Sequence, residues 1–186
     1  MKPANNARYA APMVLLHWLM AILIVTAFAV GLKIWSLPLS PLRLKLILGH
    51  KSAGIAVLLL LALRVIVRLA SHVPPLPAHM SPIEQRLAHL GHLALYVLML
   101  AVPLSGWAMS SAYGIPVVFL GVLHLPEWIA SDPTLAEQLR WLHRGLNLLL
   151  ALTIVGHAFF ALKHHFFDHD GMLNRMRLGG SRSMEK

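Results

Sequence analysis

Formally charged residues are missing from four long stretches of this 186-residue chain, and that constrains its fold more than any motif does. Pro12–Leu32, Ser52–Leu63 and Gly145–Leu162 contain no Asp, Glu, Lys or Arg, and neither does the whole interval between Arg86 and Glu127. About 20 apolar residues suffice to cross a bilayer as a helix. The expected fold class is therefore all-α, an integral membrane four-helix bundle forming a single membrane domain over residues 1–186. Only 12% of residues are charged, against about 25% in soluble domains. This leaves no room for a large soluble catalytic domain.

The spans are expected at about 12–35, 44–69, 84–110 and 136–166. The first is too long for a signal-peptide core and no small-residue cleavage site follows it, so it reads as a retained span. The second has a short uncharged centre, and it crosses only if Arg43, Lys45, Lys51, Arg64 and Arg68 snorkel or find partners. Pro103, Gly106, Gly114 and Pro116 break the longest uncharged interval, with Ile115–Leu125 read as a short interfacial segment. Asp132-Pro133 is a helix-start signal. The polar tail from about 168 to 186 is expected to fray.

Four spans put both termini on one side. That side collects Lys2, Arg8, Arg64, Arg68, Arg86, Lys163, Arg175, Arg177, Arg182 and Lys186, and the other holds Lys33, Arg43, Lys45, Lys51, Arg140 and Arg144. The excess places the termini in the cytoplasm. The formal charge of +9 is thus a matter of topology and anionic ligands, and nucleic acid is not an expected partner. Trp18, Trp35, Trp107, Trp128 and Trp141 fall near span ends, as an interfacial belt does.

Twelve histidines in so apolar a chain are the remaining anomaly, because ligating or ionisable groups inside a membrane are costly and mark function. Sorted by depth, His17, His89, His92 and His157 lie toward the end of the bundle that carries the termini, and His50 and His143 toward the other. His72, His79, His164, His165 and His169 sit at or beyond span ends, and His124 in the interfacial segment. His143 and His157 are 14 residues apart on one helix, which is about 21 Å of rise with a rotation about 40° short of whole turns. They share a face, one per leaflet. Such a helix can give one axial ligand to each of two stacked haems, with His50 and His17 opposite. Gly49, Gly145 and Gly156 adjoin these positions and are expected to admit a flat macrocycle. His89 and His92 are rivals whose spacing suits packing, propionate or quinone contacts, or ligation. The absence of cysteine excludes thioether-linked haem, iron–sulfur clusters and thiol-ligated zinc. A zinc carrier would also place acidic residues beside the histidines inside the spans, and the uncharged centres have none.

Leu16-His17-Trp18-Leu19, Gly49-His50-Lys51, Ala88-His89-Leu90-Gly91-His92, Trp141-Leu142-His143 and Gly156-His157, in this order, resemble the bacterial di-haem cytochrome b561 family from about Arg8 to Arg177. The resemblance implies two haem b groups held by His17 with His157 and by His50 with His143 in a bacterial inner membrane. Its best understood members look like superoxide oxidases that pass electrons from periplasmic superoxide to ubiquinone. By that likeness, Lys163, His164 and the His89–His92 stretch lie near the quinone and the inner haem. Arg43, Lys45, Arg140 and Arg144 are expected to steer an anion to the outer haem, and Lys51, beside His50, to serve haem propionate. The alternative function is an electron-transfer subunit of a dehydrogenase or hydrogenase, which takes its electrons from a redox partner protein and binds no substrate of its own.

Overall fold

The computed structural model describes residues 8–77, 80–169 and 171–177; Lys2, His79, Arg182 and Lys186, named above, lie outside them. Four helices, α1 (Ala11–Ser36), α2 (Pro41–Ala70), α3 (Pro82–Ala112) and α4 (Pro133–Phe166), are each long and apolar enough to cross a membrane.

Each begins on a proline in its first turn, where the missing N–H is one that a helix leaves unpaired anyway. Three of the prolines follow a side-chain cap. Ser40 accepts from the Arg43 amide, and Asp132 accepts from the amides of Thr134 and Leu135 at 2.9 and 3.1 Å. Ser81 and Glu84 form a reciprocal capping box. These starts set the helix limits, so α2, α3 and α4 begin two or three residues before the spans drawn from charge alone. Pro103 and Gly106 do not break α3, which runs on to Ala112.

The helices pack in chain order, α1 on α2, α2 on α3 and α3 on α4. Mid-depth cohesion comes from Met20, Val57 and Leu61 on one side and Leu98, Val102 and Leu150 on the other, with Ile24 and Met99 touching both groups. The outward surface is apolar: Leu69 is 83% and Val155 65% exposed, as suits a chain whose solvent is lipid.

The interval read as an interfacial segment is a two-stranded hairpin, β1 (Val118–Phe119) with β2 (Leu123–His124). Its turn holds Leu120 and Gly121 at φ 53° and 74°, the sign pattern of a type I′ turn. Ser52 ties it to α2, donating to Val118 O at 3.4 Å and accepting from the Leu120 amide at 3.1 Å. Past α4, the tail does not simply fray. Leu173–Met176 forms a 3₁₀ turn held by Trp18 Nε1 to Met176 O at 2.8 Å and by Arg175 Nη1 to Pro75 O at 2.6 Å.

Ser81→Ala removes the hydroxyl that accepts from the Glu84 amide, one half of the capping box, and should cost about 1 kcal/mol, measured as a loss of unfolding free energy in mixed detergent.

Candidate functional site: two tiers of histidine

Every helix repeats an inward position after 14 residues. The pairs are Gly31 and His17 on α1, His50 and Arg64 on α2, Gly106 and His92 on α3, and His143 and His157 on α4. The contacts bear out the register, for Gly31 lies against His50, Gly106 against His143, Arg64 against His17 and His92 against His157. One tier sits at the hairpin end and the other at the end carrying the described terminal segments. Halfway between them, seven residues from each, Ile24, Val57, Met99 and Leu150 belong to the mid-depth apolar groups.

In the hairpin tier the His50 and His143 rings face each other across α2 and α4, centroids 6.3 Å apart and planes at 88°. Both δ-nitrogens have carbonyl partners. His50 Nδ1 donates to Ala27 O at 3.0 Å, and His143 Nδ1 donates to Val102 O at 3.0 Å with Ser105 Oγ 2.9 Å away. A carbonyl only accepts, so the proton is on Nδ1 and Nε2 is the nitrogen left for a metal. Two backbone gaps permit this placement. A Cβ on Gly106 would lie 3.0 Å from His143 Cε1, and one on Gly31 3.2 Å from His50 Cε1. Gly49, Gly145 and Gly156 are not the glycines in these contacts, since a Cβ at any of them meets nothing within 4 Å.

The other tier is built differently. His17 on α1 and His157 on α4 have centroids 6.2 Å apart, but His92 lies 5.5 Å from the same His157 ring. Arg64 Nη2 is 3.4 Å from His17 Nδ1, and Arg64 Nε donates to the Tyr96 hydroxyl at 3.2 Å. A guanidinium only donates, so in this contact His17 Nδ1 accepts and the proton sits on Nε2. Presenting His17 Nε2 to a metal requires Arg64 to release it.

An iron between two imidazoles sets their centroids about 6 Å apart, since each metal–nitrogen bond is about 2 Å and each ring nitrogen lies about 1 Å from its centroid. The 6.3 and 6.2 Å pairs fit that donor geometry. Among the described residues no three His, Asp or Glu side chains converge as a metal site of their own.

The other residues singled out in the sequence separate into two groups. At the hairpin end, Lys51 donates to the Ile115 and Pro116 carbonyls ahead of β1 at 3.4 and 3.2 Å. Arg140 is ion-paired with Glu137, whose other oxygen accepts from the Tyr113 hydroxyl at 2.7 Å. Burial first, and then that hydrogen bond, push the Tyr113 phenol up, so it stays a donor. Arg144 stacks at 5.0 Å on both Trp35 and Trp141. Lys45 is exposed and Arg43 half-buried, and neither forms an ion pair among the described residues. At the opposite end, His89 is exposed and turned back on Gln85 O at 2.7 Å. Lys163 bridges Glu84 at 3.4 Å and Asp168 at 2.8 Å, and the buried His164 places Nδ1 2.9 Å from the same Asp168 carboxylate.

The sequence model of a family described as prokaryotic cytochrome b561 matches residues 8–179. Among similar proteins, cytochrome b561 homolog 2 of Escherichia coli is 39% identical over 95% of this chain and 94% of its own length. The probable superoxide oxidase CybB of Yersinia pestis is 31% identical over 92% of this chain and 96% of its own. Cytochrome b561 homolog 1 of Escherichia coli is 29% identical over 91% and 96%.

Gly106→Val should push the His143 ring off its Val102 and Ser105 partners and lower the haem content of the purified protein, read from its b-type absorbance per chain; unchanged absorbance would mean that the glycine contact does not set the ring.

Proposed function

The chain belongs to the prokaryotic cytochrome b561 family, whose members are membrane electron carriers with haem b, and on that premise we propose that it holds two haems and moves electrons from superoxide to ubiquinone across the inner membrane. The observation that carries the reading is the recurrence of one imidazole spacing, 6.3 and 6.2 Å, at two depths of α4. Haem bound at each tier supplies one-electron redox chemistry. His50 and His143 hold one group and His17 and His157 the other, through Nε2. Ala27 O, Val102 O and Ser105 Oγ orient the rings of the hairpin tier, and the Ile24, Val57, Met99 and Leu150 layer keeps water out between the tiers. His92, nearer to His157 than His17 is, is the rival ligand.

Overall, two superoxide anions each lose one electron and leave as dioxygen, and one quinone gains both electrons and two protons. This chain's part at the hairpin end is to attract the anion. Arg140 is already answered by Glu137 and Arg144 is held by two indoles, so Arg43 and Lys45 supply the free field. At the other end Glu84, Lys163, His164 and Asp168 form one connected acid–base cluster, suited to delivering protons to a quinone from the cytoplasm. The relative named a probable superoxide oxidase supports this reading, as does the excess of cations on the side of the termini.

Pyridine haemochrome assay should give two haems per chain, with acid–acetone extracting all of the pigment. His50→Ala and His143→Ala should each leave the haem of the other tier, and His17→Ala and His157→Ala the reverse. If His92→Ala empties a tier and His17→Ala does not, the partner of His157 is His92.

Purified protein mixed with superoxide should reduce its haems faster than spontaneous dismutation removes the anion. Arg43→Gln with Lys45→Gln should slow the reaction and flatten its dependence on ionic strength, whereas Arg140→Gln should change it less. No rate with superoxide would leave the electron-transfer subunit as the better account.

A further inference from the structure

The proposed reaction makes no use of the docked tail, yet the tail is where three arginines meet. Gly171, Asn174, Arg175 and Arg177 close with Arg8 around a polar cavity of about 150 Å³. Arg8 comes from the segment ahead of α1 and the rest from the tail around the 3₁₀ turn, so the cavity exists only because the two ends of the described chain come together. Three hydrogen bonds bring them there: the Tyr9 amide to Arg175 O at 3.4 Å, Trp18 Nε1 to Met176 O at 2.8 Å, and Arg175 Nη1 to Pro75 O at 2.6 Å.

Charge makes this arrangement unusual. Guanidinium groups stay protonated under all physiological conditions, and gathering three around one cavity is repulsive. Among the described residues none of the three pairs with a carboxylate. The nearby acid Asp168 is already engaged by Lys163 and His164. Asn174 adds a neutral donor, and among the described residues the cavity lining carries no acidic side chain. Such a set of planar, multidentate donors matches a tetrahedral oxyanion. Trp18, partly exposed within the first turns of α1, marks the level of the lipid headgroups, so the cavity opens where phosphates are densest.

We propose that Arg8, Arg175 and Arg177 form a binding site for a phosphate-bearing anion, which fastens the C-terminal turn to the start of α1. Two sources share this chemistry: the phosphodiester of an anionic lipid headgroup, and free phosphate from the aqueous side. The bound anion offsets the repulsion among the arginines, so the tail should be better ordered with it than without it.

The test is amide hydrogen exchange of residues 171–177, read by mass spectrometry on full-length holoprotein in detergent. Phosphatidylglycerol, phosphatidylcholine and inorganic phosphate are titrated separately. Exchange should slow about threefold or more at saturation. Slowing by phosphatidylglycerol alone assigns the site to a lipid headgroup, and slowing by inorganic phosphate as well assigns it to a free anion. Arg8→Gln with Arg177→Gln should abolish the effect, and Arg8→Lys with Arg177→Lys should retain part of it. Arg86→Gln, which removes a cation from the same end of the bundle but outside the cavity, should leave it intact. Unchanged exchange with all three ligands would overturn the proposal. So would equal loss in Arg86→Gln, which would mean diffuse attraction to a basic face.

Discussion

An imidazole inside a bilayer has two nitrogens to satisfy and no water to satisfy them. The rest of this molecule is organised around that constraint. In the hairpin tier each ring spends Nδ1 on a backbone carbonyl, at Ala27 and at Val102. Carbonyls of a regular helix are already engaged along its axis, so a ring reaches one only where the backbones come close. Gly31 and Gly106 provide that approach. What remains on each ring is Nε2, and on the proposed reading this nitrogen holds the haem iron in a bundle with no cysteine and no acidic residue at its centre.

The 14-residue register repeats an inward position at both depths. It puts one inward position per tier on every helix, a histidine at both depths only on α4, and it leaves the seventh residue between them, Ile24, Val57, Met99 or Leu150, as apolar filling. The tiers are not equivalent. Neutral carbonyls orient one, while the other has Arg64 beside His17 and Arg68 with Arg64 around Tyr96. On the two-haem proposal, Arg64 and Arg68 at the His17 end would raise the reduction potential on their own side even with Arg64 released from His17, because a nearby cation favours the less positive state of the iron. On the proposed direction of flow, that bias draws electrons toward the end where the acid–base cluster sits.

Spans and imidazole tiers were legible in the sequence because both are contrasts: uncharged runs against charged flanks, and histidines against aliphatic neighbours. The glycines were harder. Gly49, Gly145 and Gly156 adjoin histidines in the sequence, and a Cβ at any of them meets nothing within 4 Å. The contacting glycines stand 14 residues from His17 and His92, and that repeat was the available signal. Lys51 illustrates a different limit. Its proximity to His50 is visible in the sequence, but the Ile115 and Pro116 carbonyls that accept from its ammonium group lie more than sixty residues on. Docking of the tail was equally hidden, since it depends on Trp18 and Pro75 meeting backbone and arginine groups far along the chain.

Electron paramagnetic resonance of the fully oxidised protein at low temperature tests the central claim most directly, because it reports ligation of each iron without removing any residue. Two low-spin ferric signals of equal intensity are predicted, the more anisotropic one belonging to the His50–His143 tier, where the ring planes stand at 88°. A single low-spin species, or a high-spin signal carrying half of the iron, would contradict bis-imidazole ligation at two depths.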